Sequence, residues 1–375
     1  MLKTKIALLR EMGLPRPYTD SKPIEIVEAE LSPPANGELL VKLVAAGLCH
    51  SDLSVINANR PRVMPMALGH EASGIVEAVG PNVTRFQPGD HVVMVFIPSC
   101  GHCIPCAEGR PALCEPGAAA SGKGELLGGT KHIQYKCEEV NHHLGVSAFS
   151  THAIVAQESC VKIDKSVPLE TAAVLGCAVL TGVGAVLNSG QLQAGQTCAI
   201  IGLGGVGLAA LLGALAAGAQ TVIAVDISEE KRQFALELGA DYAIDPSAPD
   251  AIEQVRRLVP GGVDLAVELA GAVPALKFAY DIIKRGGQAV TGGLPHPKAE
   301  ISFPAVSLAA EEKTLKGSYV GSCVPLRDIP RFASMMVKKQ LPVEKLITHR
   351  IKLEDINEGF ERLANGEGIR QLIIF

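Results

Sequence analysis

"TCAIIGLGGVGLAALLGALAAGAQTVIAVD" runs from Thr197 to Asp226. "TCAIIG" reads as a short apolar strand, "GVGLAALLGALAAG" as a helix stopped by Gly218, and "TVIAVD" as a second strand. Between the first strand and the helix stands "GLGGVG", comprising Gly202, Leu203, Gly204, Gly205, Val206 and Gly207. This G-x-G-x-x-G pattern says little alone. Here it follows a strand, opens a helix and precedes Asp226 at the end of the next strand, the full context of a dinucleotide site. Gly202 permits the tight turn, Gly204 lets the backbone approach a pyrophosphate, and Gly207 lets helix and strand pack closely. The helix start offers free N–H groups to phosphates. Asp226 can accept hydrogen bonds from both ribose hydroxyls and repels a 2′-phosphate, which favours NAD over NADP.

Strand and helix go on alternating outward from this unit. "SEEKRQFALELG" reads as a helix with Ser228 as N-cap and Gly239 at its end. "DYAID", "DAIEQVRRLV", "DLAVELA", "PALKFAYDIIKRGG" and "QAVTGG" continue the pattern to about Gly293. A doubly wound parallel sheet is expected. Upstream, "ELLVKLVAAG" (38–47), "ASGIVEAVG" (72–80) and "DHVVMVF" (90–96) are short β-rich runs between Gly/Pro turns. No long helix is expected before about Leu169, and residues 115–145 read as loop. Beyond Tyr319 the alternation loosens, and the remainder reads as a return to the first domain. The expected division is 1–178 with 320–375, and 179–319, in keeping with a chain of 375 residues.

Composition excludes several classes. The net charge of -5 and scattered Lys and Arg residues give no electrostatic footprint for nucleic acid. From Thr171 to Val225 there is no Asp, Glu, Lys or Arg. Polar breaks such as "NSGQLQAGQT" interrupt that run, so a buried sheet with its crossover helix explains it better than a membrane span. The N-terminal apolar run is too short for a signal peptide, and a cytoplasmic protein is expected. Ten cysteines in a reducing compartment point to metal or catalytic use before disulfides.

Those cysteines fall into two patterns. "CGHCIPCAEGRPALC" holds Cys100, Cys103, Cys106 and Cys114. Four thiolates would fill a tetrahedral zinc and brace a surface lobe, although a redox disulfide pair or an iron–sulfur cluster would use the same residues. Cys49 in "GLCHSD", His70 in "GHEASG" and Cys177 in "LGCAVLTG" are scattered. Two thiolates and an imidazole would hold zinc with one open position, the arrangement suited to a Lewis acid. Spacing does not make the three converge, and Cys177 alone reads equally as a small core residue.

"GHEASGIVEAVG", the four-cysteine cluster, "GLGGVG" with Asp226, and the closing "GIRQLIIF" together resemble the zinc-dependent medium-chain alcohol dehydrogenases. The resemblance spans nearly the whole chain. It implies an α/β protein with a GroES-like β-rich catalytic domain and a Rossmann cofactor domain, oxidising alcohols with NAD. It implies a catalytic zinc on Cys49, His70 and Cys177 and a structural zinc on Cys100, Cys103, Cys106 and Cys114. It carries Asp52 to the orientation of the zinc-bound histidine, Glu71 to a place beside the zinc, and Ser51 to the first step of a proton relay. His50 and Arg370 fall at phosphate-contacting positions, Lys231 near the adenosine ribose, and Thr181, Gly293 and Leu294 with the cofactor. Many relatives end the relay in a histidine where this chain has Ser54.

The same resemblance bears on substrate. The glutathione-dependent formaldehyde branch has acidic residues between the first cysteine and the histidine, and an arginine after the fourth cluster cysteine. Here stand Arg60 and Arg62, and Ala118. That branch is therefore the second reading, and a nucleotide-binding relative without catalytic zinc the third. If Arg60 points into the cleft it would favour an acidic or polar alcohol; a solvated loop charge is the simpler reading. Phe96, Leu144, Leu294 and Tyr319 fall at pocket-lining family positions, which suggests medium-chain or benzylic primary alcohols. The long segment around 114–145 resembles that of dimeric relatives, so a homodimer is expected, with the strand around "KGSYVG" pairing across the two-fold.

Overall fold

The computed structural model describes residues 1–375. The chain forms two compact units, Met1–Cys177 with Val324–Lys338 and Glu344–Phe375, and Ala178–Cys323 with Lys339–Val343. The return to the first unit starts at Val324 rather than at 320. Val320–Ser322 is still a 3-10 turn of the second unit, and a side chain on Gly321 would collide with the Leu180 and Thr181 carbonyls.

The first unit contains a closed barrel and a mixed sheet. Leu2–Leu9, Ile24–Leu31, Ile133–Tyr135, Glu138–His142 and Met66–Ala67 close the barrel around Ile6, Leu8, Leu31, Leu126 and Val140. In the sheet, Glu38–Gly47 alternates in burial, with Leu39, Val41, Leu43 and Ala45 inward. It pairs with Ala72–Val79 on one side and with His152–Ala156 and Arg370–Ile374 on the other. Ile347–Ile351 continues the sheet in parallel beyond Arg370–Ile374. Glu38 opens the central strand as a buried carboxylate. It accepts from Ala35 N–H at 2.7 Å, lies 2.7 Å from His132 Nε2, and takes the Thr130 hydroxyl.

Residues 115–145 are only partly loop. Glu115–Lys123 is a helix, capped by the Cys114 sulfur accepting from Gly117 N–H and stopped by left-handed Gly124. Glu115 in its first turn and Lys123 in its last suit the helix dipole. The small residues between them gave no apolar stripe to read. His50–Ile56 is likewise a short helix.

The second unit has six parallel strands in the order Tyr242–Ile244, Thr221–Val225, Thr197–Ile201, Val263–Glu268, Ile283–Thr291, Thr314–Gly317. Counted along the chain this is 3-2-1-4-5-6, the order of a dinucleotide-binding sheet, whose crevice opens where the order reverses. That reversal is at Thr197–Ile201. The helix expected over Pro274–Gly287 ends at Ile282, where β-branched Ile283 joins the ladder opposite Val263. Gly205–Ala216 buries Gly207 through Ala214 almost all round, which accounts for the uncharged run before it reaches Val225. No single helix is long and apolar enough to cross a membrane.

Candidate functional site

Cys49, His70 and Cys177 come from three places in the first unit. Cys49 follows the central strand and caps the helix His50–Ile56, His70 directly precedes the strand Ala72–Val79, and Cys177 ends the turn Ala173–Gly176. Their donor atoms lie within 4.8 Å of one another and all three side chains are buried. The Cys177 hydrogen bond, and then His70, hold the Cys49 thiol well below its ordinary range despite burial; Cys177 moves the other way, as partner and by burial. Burial opposes charge on His70, yet Asp52 and Cys49 push its imidazole up to about 10. His70 Nε2 is buried with no hydrogen-bond partner. Two buried sulfurs and an imidazole nitrogen without a hydrogen-bond partner, this close together, fit a divalent zinc, with one tetrahedral position left over.

Asp52 stands behind His70. Its Oδ2 lies 3.0 Å from His70 Nδ1, its Oδ1 lies 3.1 Å from His143 Nδ1, and Gly69 N–H donates to Oδ1 at 3.2 Å. Burial works against the carboxylate's charge, but the two histidines hold its pKa below the usual range. Burial lowers His143, which Asp52 only partly offsets. His143 was not singled out in the sequence. The pair His142-His143 is visible there, but successive side chains of an extended segment point apart. His142 instead accepts from His132 N–H at 3.3 Å, and burial brings it down to about 3.

Glu71 and Arg370 form a buried ion pair, and Arg370 Nη1 donates to the Leu48 carbonyl at 3.0 Å. The guanidinium expected at cofactor phosphates is thus engaged within its own unit. Cys49 Sγ lies 3.8 Å from Ser51 Oγ, whereas Ser54 donates to the His50 carbonyl at 2.7 Å. Phe96 meets His70 edge-on at 5.2 Å, and Leu144 sits next to His143 in the same unit. Leu294 and Tyr319 belong to the second unit.

Cys100, Cys103, Cys106 and Cys114 also converge within 4.8 Å. All ten cysteines are free thiols. Cys100 N–H and Gly117 N–H point at Cys114 Sγ (3.3 and 3.4 Å), and Cys103 N–H at Cys100 Sγ (3.3 Å). Backbone donation from Cys106 draws Cys103 down to about 7, while burial raises Cys106 to about 12. Four sulfurs this close cannot all ionise without a cation among them. The set fits a closed metal site.

In the second unit, Gly202 has φ +90 and a Cβ there would strike Ala270 N. A Cβ on Gly207 would lie 1.7 Å from the Gly202 carbonyl, so the helix start can approach the strand only as glycine. Gly204, the N-cap, faces open space. Asp226 is fixed by accepting from Leu203 N–H (2.7 Å) and Ser228 N–H (2.8 Å). Ser228 caps the next helix through Lys231 N–H. Gly293 N–H donates to the Glu268 carbonyl, and Thr181 is half-buried on Ala178–Gly184. Val206 and Gly205 open the helix, and half-buried Lys231 lies on the next one.

Comparison with known proteins matches residues 35–165 to the alcohol dehydrogenase GroES-like domain and residues 205–338 to the zinc-binding dehydrogenase family. The chain is 40% identical over 381 residues to the NDMA-dependent alcohol dehydrogenase of Amycolatopsis methanolica, covering 100% of this chain and 99% of the relative. Among solved structures it resembles the alcohol dehydrogenase zinc-binding domain protein of Burkholderia ambifaria (TM-score 0.94, 34% identity, 100% and 99% coverage). It also resembles benzyl alcohol dehydrogenase of Acinetobacter calcoaceticus (TM-score 0.93, 32% identity, both chains fully covered). Fold and matches define a zinc-binding dehydrogenase. The chain belongs to the zinc-dependent medium-chain alcohol dehydrogenase family.

Proposed function

We propose that this protein reversibly oxidises primary alcohols, medium-chain or benzylic, to aldehydes with NAD, using one catalytic and one structural zinc per chain. The observation that carries the reading is the buried donor set of Cys49, His70 and Cys177, which supplies three ligands and leaves a fourth position for an alcohol. When bound, zinc would supply a Lewis acid that favours loss of the hydroxyl proton, and NAD a hydride acceptor. The remaining work belongs to the chain. Asp52 keeps His70 oriented, and Phe96 walls its ring with an apolar edge. Ser51 takes the hydroxyl proton as it passes its own on. Ser54, whose hydroxyl donates to the His50 carbonyl, is no base at neutral pH, so the relay ends in water or another group. Asp226 selects the ribose hydroxyls over a 2′-phosphate. Cys100, Cys103, Cys106 and Cys114 hold the second zinc away from substrate. We infer a homodimer, with Thr314–Gly317, the edge strand of its sheet, as the pairing element.

Benzylic and medium-chain substrates are favoured by the likeness to a benzyl alcohol dehydrogenase and by Phe96 and Leu144 in the apolar positions. The test is a panel of aliphatic, benzylic, secondary and ω-hydroxy-acid substrates, with and without glutathione. NAD, NADP and NDMA serve as acceptors in separate arms. Turnover of benzylic or medium-chain alcohols with NAD is expected. Turnover with NDMA but none with added NAD would rule out NAD as an exchanging coenzyme, and a requirement for glutathione would favour the formaldehyde branch.

A further inference from the structure

We infer that His143 is a positioning residue for the catalytic metal centre: by holding Asp52 Oδ1 it fixes the carboxylate that orients His70. The inference rests on Cys49, His70 and Cys177 being the catalytic zinc site.

The carboxylate torsion of aspartate is broad and two-fold, so one hydrogen bond to His70 would leave the group free to turn. Here each oxygen has a ring nitrogen beside it: Oδ2 lies 3.0 Å from His70 Nδ1 and Oδ1 lies 3.1 Å from His143 Nδ1, close charge contacts. Oδ1 takes Gly69 N–H and faces His143 Nδ1, so only Oδ2 is left for His70. An ionised carboxylate only accepts, so it keeps a proton on Nδ1 of each ring. For His70 that leaves the Nε2 lone pair to the metal, the tautomer a zinc ligand needs.

The backbone of His143 is anchored for this task. Its N–H donates to Ser147 Oγ at 3.0 Å, and that hydroxyl donates to the Ala67 carbonyl at 2.8 Å. Val146 N–H and Ser147 N–H both return to the His143 carbonyl, at 3.0 and 3.2 Å. The ring stands edge-on to His70 with centroids 5.8 Å apart. His143 is 1% exposed and Asp52 fully buried, so water cannot replace the lost donor cheaply.

The test compares the zinc-loaded wild type with His143→Asn, whose amide can take the place of Nδ1, and with His143→Leu, which has no donor. Zinc loss to EDTA is followed per chain, and the visible spectrum of the cobalt-substituted proteins is recorded. His143→Leu is expected to release one zinc roughly 10- to 100-fold faster and to shift the cobalt spectrum. His143→Asn should stay within about threefold of wild type, on the same scale, and the second zinc should be unaffected in both. Should His143→Leu not fold, His143→Gln replaces it, since its amide sits one bond beyond Nδ1 and is expected to fail like leucine. Wild-type retention by His143→Leu, or by the glutamine substitute, overturns the inference, as does His143→Asn losing zinc as fast as His143→Leu. A wild-type chain that binds only one zinc overturns the catalytic-site reading and this inference together; two zincs with no effect at His143 removes this inference alone.

Discussion

Glu71 and Arg370 are paired inside the first unit across 299 positions of chain, both buried. Removing one member of such a pair leaves an uncompensated charge out of water. Arg370→Met should therefore destabilise the protein by about 3–5 kcal/mol, and the double variant Glu71→Gln/Arg370→Met should recover much of the loss. Urea unfolding of the single and double variants checks this. Equal stability of Arg370→Met and wild type would show that the pair adds nothing.

The two cysteine sites should fail differently. Cys177→Ser is expected to keep the fold, lose one zinc and lose turnover. Cys103→Ser should lose the other zinc and lower the thermal midpoint before it touches the chemistry. Metal content, circular dichroism and turnover measured together distinguish the two. Identical losses in both variants would contradict the division of labour.

Asp226→Ser removes a charged acceptor at the expected ribose position. A charge-assisted hydrogen bond of about 1.5–3 kcal/mol corresponds to a rise of roughly ten- to a hundredfold in KM for NAD. Discrimination against NADP should fall as well. Initial-rate kinetics with both coenzymes read this directly, and unchanged constants would dismiss the role.

Glu38 predicts an acid limb to the stability curve. Burial alone would raise its pKa, but His132, Thr130 and the Ala35 N–H hold it below the ordinary carboxylate value. A depressed folded-state pKa means the fold prefers the charged form. Its contribution is present above the unfolded value of about 4.3 and is lost as pH falls through the lower folded value. Glu38→Gln should therefore be less stable at pH 7, and the gap should close below about pH 4. Thermal midpoints across that range test it; a gap independent of pH would mean that the charge is irrelevant.

Strand–helix alternation and the glycine loop made the second unit legible, because Thr197–Ile201 and Thr221–Val225 are short apolar runs and the helix Glu229–Glu237 carries its own N-cap. Ser228, Gly218 and Gly239 stand where local chemistry demands them. The helix Glu115–Lys123 was hidden because its buried face is made of Gly, Ala and Ser, which carry no hydrophobic period. The start of the strand Ile283–Thr291 reads as a continuation of the preceding helix, because Lys284 and Arg285 resemble a basic helix end. Of the site, residue types in short motifs were readable. His143 was not, since its partner Asp52 lies far back in the chain and neither residue forms a motif with the other. Nor could the sequence reveal that Glu71 engages Arg370, because that contact depends on a sheet pairing between distant strands.

That pairing has a consequence for how the protein is made. Leu48 and Arg370 clasp across 322 positions. At ribosomal speeds of about 5–20 residues per second, the first waits roughly 15–65 s for the second. All seven cysteine and histidine side chains of the two clusters are synthesised within that interval, the last of them Cys177. The far half of Glu38–Gly47, where Ala45, Ala46 and Gly47 will meet Leu372–Ile374, is an open β-edge. The second unit is contiguous but for Lys339–Val343, so most of it can form while the first is incomplete. Biogenesis of the catalytic half is thus a holding problem: its ligands and its sticky edge must be kept from other partners until the last strand arrives.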